Sequence, residues 1–197
     1  MPIDPSSFHL YNVTDTCAVW NVLSSRTLYS TARGAGVVFI CTRFVLYECL
    51  FKPRQKISAC DEELQSRFRA AQRESVFGTY SMDITDLQTI GLLENRKRLG
   101  KGELSSIAFA LKIRQALLTD DQKARRLACE MLQELVTQTT PHLFGWLFFT
   151  NRLVDADKNT IIKEHLEMAR PLGEYFEEIY LEACRCRLMA NRGATAK

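Results

Sequence analysis

The run Val37-Val-Phe-Ile-Cys41 is apolar at every position and rich in β-branched and aromatic side chains. A strand with one face in water alternates polar and apolar residues. A strand without that alternation is buried on both faces, and such strands belong to parallel sheets covered by helices. The neighbouring segments meet this demand. His9 to Asp15 is a short strand, apolar at Leu10, Tyr11 and Val13 and ending on an acid. Thr16 to Ser25 is apolar at 19, 20, 22 and 23, one face of a helix, with Thr14, Asp15 or Thr16 available to cap it. Arg33 to Gly36 is a turn before the apolar run, and Thr42 then starts a helix through Leu50 that Pro53 closes.

Residues 54 to 75 are dominated by charge, with Leu64 and Phe68 at helical spacing, as in an amphipathic surface helix. Val76 to Ser81 is a third strand and Asp83 to Leu93 a capped helix. From Gly100 the chain reads as a loop, a helix opened by Glu103, a buried strand Ala116 to Thr119, and a helix from Gln122 to Val136. Thr137 to Pro141 breaks that helix and supplies a short edge strand. Leu143 to Leu153 and Asn159 to Met189 are helical, with an interruption at Arg170-Pro-Leu-Gly173. Strands alternating with helices give an α/β fold in which a central parallel sheet is flanked by helices in three layers. The expected division is a main domain over residues 1–155 and a C-terminal helical extension over 156–197.

Composition narrows the class. Among 197 residues, 46% are hydrophobic and 25% charged, enough for a full core. The net charge of +3 permits a polyanionic partner without requiring one. Seven cysteines show no Cys-x-x-Cys spacing, and His9, His142 and His165 form no zinc-like grouping. Reduced thiols in a cytoplasmic protein are therefore expected. The start, Met-Pro-Ile-Asp-Pro, is unlike a signal peptide. The run Leu143 to Phe149 is too short to span a bilayer, so no membrane partner is expected. Gly34-Ala-Gly36 precedes a strand instead of joining one to a helix, which excludes a phosphate-binding fingerprint there.

In an open parallel sheet, ligands bind beyond the carboxyl ends of the strands. Asp15 and Asp121 lie at two such ends, Glu48 on the helix after the second strand, and Glu103 at the head of the helix before the Asp121 strand. Ionised carboxylates crowd together only when a cation neutralises them. Oxygen ligands without histidine or thiolate select a hard divalent ion, Mg²⁺ or Mn²⁺. Such ions lower the pKa of bound water and stabilise charge in an in-line displacement, which points to phosphodiester hydrolysis. Simpler explanations exist for each acid: Asp15 and Asp121 as helix N-caps, Glu103 as a partner of a helix dipole. Glu48, bracketed by Tyr47, Cys49 and Leu50, needs a partner in its apolar setting. Asp120 adjoins Asp121, but neighbours in sequence point differently, so one of the two is the primary candidate.

Four segments carry a resemblance: Val13-Thr-Asp15-Thr-Cys-Ala-Val-Trp-Asn-Val-Leu, Thr42-Arg-Phe-Val-Leu-Tyr-Glu48, Gly102-Glu103-Leu-Ser-Ser-Ile-Ala-Phe-Ala-Leu and Leu117-Leu-Thr-Asp-Asp121-Gln-Lys-Ala-Arg125. Together they resemble the PIN-domain nucleases, which include VapC-type toxins of toxin–antitoxin systems. The resemblance spans about residues 8 to 155, roughly three quarters of the chain. It implies a Mg²⁺- or Mn²⁺-dependent endoribonuclease with Asp15, Glu48, Glu103 and Asp121 as metal-holding catalytic acids. It also implies an RNA substrate, an antitoxin protein and a homodimer as partners. The sequence departs from the pattern in having Glu at the third acid, a longer segment over 52 to 98, and a tail beyond Leu153.

Arg96, Lys97, Arg98 and Lys101 lie just before Glu103, and Lys123, Arg125 and Arg126 follow Asp121. They are either solvated helix faces or a patch that tracks nucleic-acid phosphates; Arg96, Arg98, Lys101, Lys123 and Arg125 are the candidates for that role. Phe144, Trp146, Phe148 and Phe149 suit a core or an oligomer face better than a base-stacking platform. A non-catalytic module that keeps the fold and binds nucleic acid or protein is the alternative. A phospho-acceptor or phosphatase site would need a second acid that Asp15-Thr-Cys17 lacks.

Overall fold

Strand β1 (Tyr11–Thr14) is at the centre of a five-stranded sheet with β2 (Val38–Thr42), β3 (Phe77–Tyr80), β4 (Ala116–Leu118) and β5 (Thr137–Gln138). This computed structural model describes residues 4–94, 99–131 and 136–194. The strand order is β3-β2-β1-β4-β5 and every pairing is parallel. Strand order therefore reverses at β1, with β2 and β3 on one side and β4 and β5 on the other.

Ten helices complete the described residues: α1 (Thr16–Ser24), α2 (Arg26–Gly34), α3 (Arg43–Leu50), α4 (Ala59–Arg73), α5 (Ile84–Glu94), α6 (Lys101–Ile113), α7 (Gln122–Met131), α8 (Thr140–Phe149), α9 (Asp155–Glu167) and α10 (Gly173–Ala194). Successive strand residues face opposite sides of a sheet, and the core divides accordingly. Phe39, Cys41, Phe77 and Leu118 join residues of α1, α2, α4, α8, α9 and α10. Val13 and Leu117, with Ile40 beside them, join residues of α5, α6 and α7. Both faces are covered, as the unbroken apolar run requires. Phe39 stacks on Phe77 at 5.0 Å between ring centres, and Phe68 meets Phe77 edge-on at 5.4 Å. Such pairs add about 0.5–1.5 kcal/mol to what their burial supplies.

Local signals explain most boundaries. Asp15, Ser25, Thr42 and Ser58 accept N–H bonds from the first turns of α1, α2, α3 and α4. Residues 26–34 form α2, anchored by Leu28 and Ala32, buried one turn apart, so Arg33 and Gly34 of the turn expected over 33–36 belong to the helix. The edge strand expected within 137–141 is β5, and it separates α7 from α8; Thr139 then caps α8, and Pro141 occupies its first turn, where a missing N–H costs nothing. The helix expected over 143–153 accordingly begins at Thr140 and ends at Phe149. The helix expected to begin near Asn159 begins at Asp155, and the interruption at 170–173 separates α9 from α10. These last helices pack into the core of the main sheet through Ile161, Phe176, Ile179 and Ala183. Gly145 lets α10 approach α8, since a Cβ there would lie 2.5 Å from Ile179 Cγ1.

Candidate functional site

The register of the sheet sets the site. Thr14 pairs with Cys41 on one side and Leu118 on the other, so Asp15 and Thr119, just past the ends of β1 and β4, are in a row with Thr42, the last residue of β2. Asp15 is 1% exposed. Its Oδ1 accepts the Ala18 N–H at 2.8 Å, which caps α1, and its Oδ2 accepts the Thr119 hydroxyl. Burial pushes its pKa from an ordinary 3.8 up to about 7, and the neighbouring charges of Asp120 and Glu103 add to the rise. The bonds from Thr119 and Ala18 favour the charged form but do not offset the loss of water.

Helix α6 lies against the same strand ends. Ser106 donates to the Thr14 carbonyl at 3.1 Å, and Ser105 shares a 2.6 Å hydrogen bond with Thr42. This seats Gly102 and Glu103, in the first turn of α6, beside the ends of β1 and β2. Glu48, on α3, accepts the Gly102 N–H at 3.1 Å through Oε1 and the Thr16 hydroxyl at 2.6 Å through Oε2. Gly102 is needed for this approach: a Cβ would sit 2.8 Å from Glu48 Cδ and 3.0 Å from Thr16 Oγ1. Glu103 is half-buried, and its Oε2 is buried without a hydrogen-bond partner among the described residues.

The two acids after β4 have different surroundings. Asp121 Oδ1 accepts the Ala124 N–H at 2.7 Å, a cap on α7, while its own N–H donates to Thr119 Oγ1 at 3.2 Å. Asp120 accepts three bonds, from Asn21 Nδ2 at 2.7 Å and from the Thr140 N–H and hydroxyl at 2.8 and 2.6 Å. Asp120 thus ties the end of β4 to α1 and to the start of α8. The Cys17 thiol reports how close these acids are. Burial first, and then the charges of Asp15, Asp120 and Asp121, raise its pKa to about 12, with Arg170 opposing them.

The four acids expected from sequence therefore adjoin one another at one end of the sheet. Asp15 lies within the electrostatic reach of Glu103; Glu48 bonds to the residues beside Asp15 and Glu103; Asp121 bonds to the hydroxyl that holds Asp15. They do not form a ready cage: among the described residues, no three His, Cys, Asp or Glu side chains stand close enough to hold one metal ion. The cap readings of Asp15 and Asp121 both describe bonds that exist. Lys101 and Lys123 are exposed and Arg125 is half-buried, whereas Arg96 and Arg98 lie outside the described residues. Phe144 and Phe148 are core, with Trp146 and Phe149 packed against it. All seven cysteines are free.

The sequence offers Thr16 only as a possible helix cap and Thr119 only as the end of a strand, and it points to no site role for Gly102, Asn21, Thr140 or Arg170. The available signal was a density of small residues, Gly102, Ser105 and Ser106, in the first turns of a helix whose neighbours are large. Small side chains of that kind mark a backbone that comes close to something else. The sequence matches no protein-family model and no curated protein. No helix among the described residues is long and apolar enough to cross a membrane.

Proposed function

We propose that the chain is a Mg²⁺- or Mn²⁺-dependent ribonuclease whose site is the acid group around Asp15. The observation that carries this reading is a carboxylate buried just past the end of the central strand, its pKa pushed up to about 7 chiefly by burial, with the charges of Asp120 and Glu103 near enough to add to the rise. Charged acids held together without water are unfavourable unless a cation joins them. The unpartnered Oε2 of Glu103 is an orphaned oxygen in the same place. The donor set is all oxygen, which fits a hard divalent ion. When bound, such an ion supplies Lewis acidity and charge stabilisation to a phosphodiester undergoing in-line attack.

The chain's own residues hold that site in shape. Thr119 and the Ala18 N–H fix the plane of the Asp15 carboxylate, and Gly102 and Thr16 fix that of Glu48. Asp15, Glu48, Glu103 and Asp121 are the acids that would face the ion. Glu48 and Asp121 would have to turn from their present bonds to bind it together with Asp15. Lys101, Lys123 and Arg125 stand beside the acids and supply positive charge for an RNA backbone. A soluble toxin with an antitoxin partner, a homodimer and a PIN-like fold rest on the sequence resemblance.

A second reading, a module that binds nucleic acid or protein without cleaving it, is favoured by the lack of a ready three-acid group among the described residues. Cleavage decides between them. Purified protein with Mn²⁺ is expected to cut RNA, to stop on addition of EDTA, and to lose at least 100-fold in rate as Asp15→Asn. Binding of RNA without cleavage in any divalent ion supports the module, and cutting of single-stranded DNA alone changes the substrate.

A further inference from the structure

A cavity of about 650 Å³ opens between α7, the start of α8 and α10, and Asp120 forms part of its wall. That volume falls within the range of small-molecule sites, roughly 300–1,000 Å³. Leu172 and Ile179 give it an apolar base, Arg125 stands on the α7 side, and Tyr175 and Glu178 stand on the α10 side. Arg125 Nε is buried without a partner, and among the described residues its guanidinium makes no ion pair. Tyr175 is 60% exposed, which leaves its ring free to stack. The carboxylate of Glu178 is exposed and takes no hydrogen bond among the described residues, unlike that of Glu182, which holds Arg185 at 2.6 and 2.9 Å.

We propose that this cavity binds one nucleotide of the substrate strand, next to the phosphate that is cut, and prefers guanine there. The inference rests on the ribonuclease reading for the identity of the strand. Charge sets the orientation. The guanidinium fork of Arg125 suits a phosphate oxygen pair; Asp120, also in the wall, already accepts three hydrogen bonds, whereas the Glu178 carboxylate accepts none among the described residues and repels phosphate, so the base lies on the α10 side. There the Tyr175 ring stacks on it, as aromatic side chains do on single-stranded bases. A carboxylate accepts two parallel N–H bonds, and guanine presents two adjacent donors, N1–H and the 2-amino group. Adenine and cytosine place an acceptor beside their amino group, and uracil flanks its single N–H with carbonyls. Continuity with the catalytic acids follows from Asp120, which lines the cavity and sits between Thr119, the donor to Asp15, and Asp121 in the chain.

Calorimetric titration of the full chain, without metal, with 5′-GMP, 5′-AMP, 5′-CMP and 5′-UMP tests the proposal. GMP is expected to bind at least 10-fold more tightly than the others. Arg125→Ala should weaken all binding by 10-fold or more, and Glu178→Gln should erase the margin for guanine while binding persists. Arg125→Lys, which keeps the charge and removes the fork, serves in place of a misfolded R125A, with circular dichroism as the check on folding. Absence of nucleotide binding, unchanged affinity in both Arg125 variants, or a guanine margin that survives E178Q overturns it. Because no cleavage is read, GMP binding by a protein that cuts no RNA would leave the cavity assigned and remove the ribonuclease reading. RNA cleavage without GMP binding would do the reverse.

Discussion

Asp15 has two duties that conflict. As a cap and a Thr119 acceptor it belongs to the fold, yet its charge is costly where it lies. Its pKa is raised, so between about pH 4 and pH 7 the unfolded chain releases a proton that the folded chain keeps. Stability therefore falls as pH rises through that window, by on the order of 4 kcal/mol for a rise from 3.8 to about 7. Asp15→Asn removes this dependence. Urea melts should show D15N more stable than the parent at pH 8 and equal to it near pH 4; parallel pH profiles would refute the assignment. Gly102 makes a complementary case. Gly102→Ala favours the helix by up to about 1 kcal/mol but displaces the Glu48 carboxylate, the flexible end of a side chain. The expected result is a midpoint within about 3 °C of the parent and a cleavage rate at least 10-fold lower. A lower midpoint with normal cleavage would show that Gly102 serves the fold alone.

At the scale of elements, legibility followed how far apart interacting residues lie in sequence. Strands β1, β2 and β4 were visible as apolar runs, α1 and α3 by caps within three residues of the N–H groups they accept, and α4 by the helical spacing of Leu64 and Phe68. Helix α2 was legible too, with Leu28 and Ala32 one turn apart and Ser25 as its cap, although the expectation there is only a turn at 33–36. The positions of the acids were legible by strand end and order. Their partners were not, since Thr16 bonds to Glu48 across 32 residues and Gly102 to Glu48 across 54. His165, on α9, shows the same limit. It is fully buried, meets Phe176 of α10 edge-on at 4.8 Å between ring centres, and among the described residues neither ring nitrogen has a hydrogen-bond partner. Burial lowers its pKa to about 4. Between about pH 6.5 and pH 4 the unfolded chain takes up a proton that the folded chain refuses, so this contribution to stability is complete above 6.5 and declines on acidification. His165→Phe should flatten that acid limb in melts between pH 6.5 and pH 4. An unchanged limb would mean that other groups control it.

Over the whole molecule, the sheet, its two cores and the C-terminal helices converge on one arrangement. Reversal of strand order at β1 leaves its carboxyl end open as the place where a ligand can be reached. The acids gather at that end, α6 is seated there by its serines, and α10 supplies one wall of the adjoining cavity. Arg170, between α9 and α10, brings a positive charge close enough to influence Cys17. Packing of α10 into the main core makes these C-terminal helices part of the structure that shapes the site. The central claim is that this gathering of acids is a place for a hard divalent ion. Anomalous diffraction from crystals soaked in Mn²⁺ tests it most directly. A peak bonded to Asp15 and Glu103 that disappears in Asp15→Asn is the predicted result; a protein that orders Mn²⁺ only elsewhere, or not at all, would contradict it.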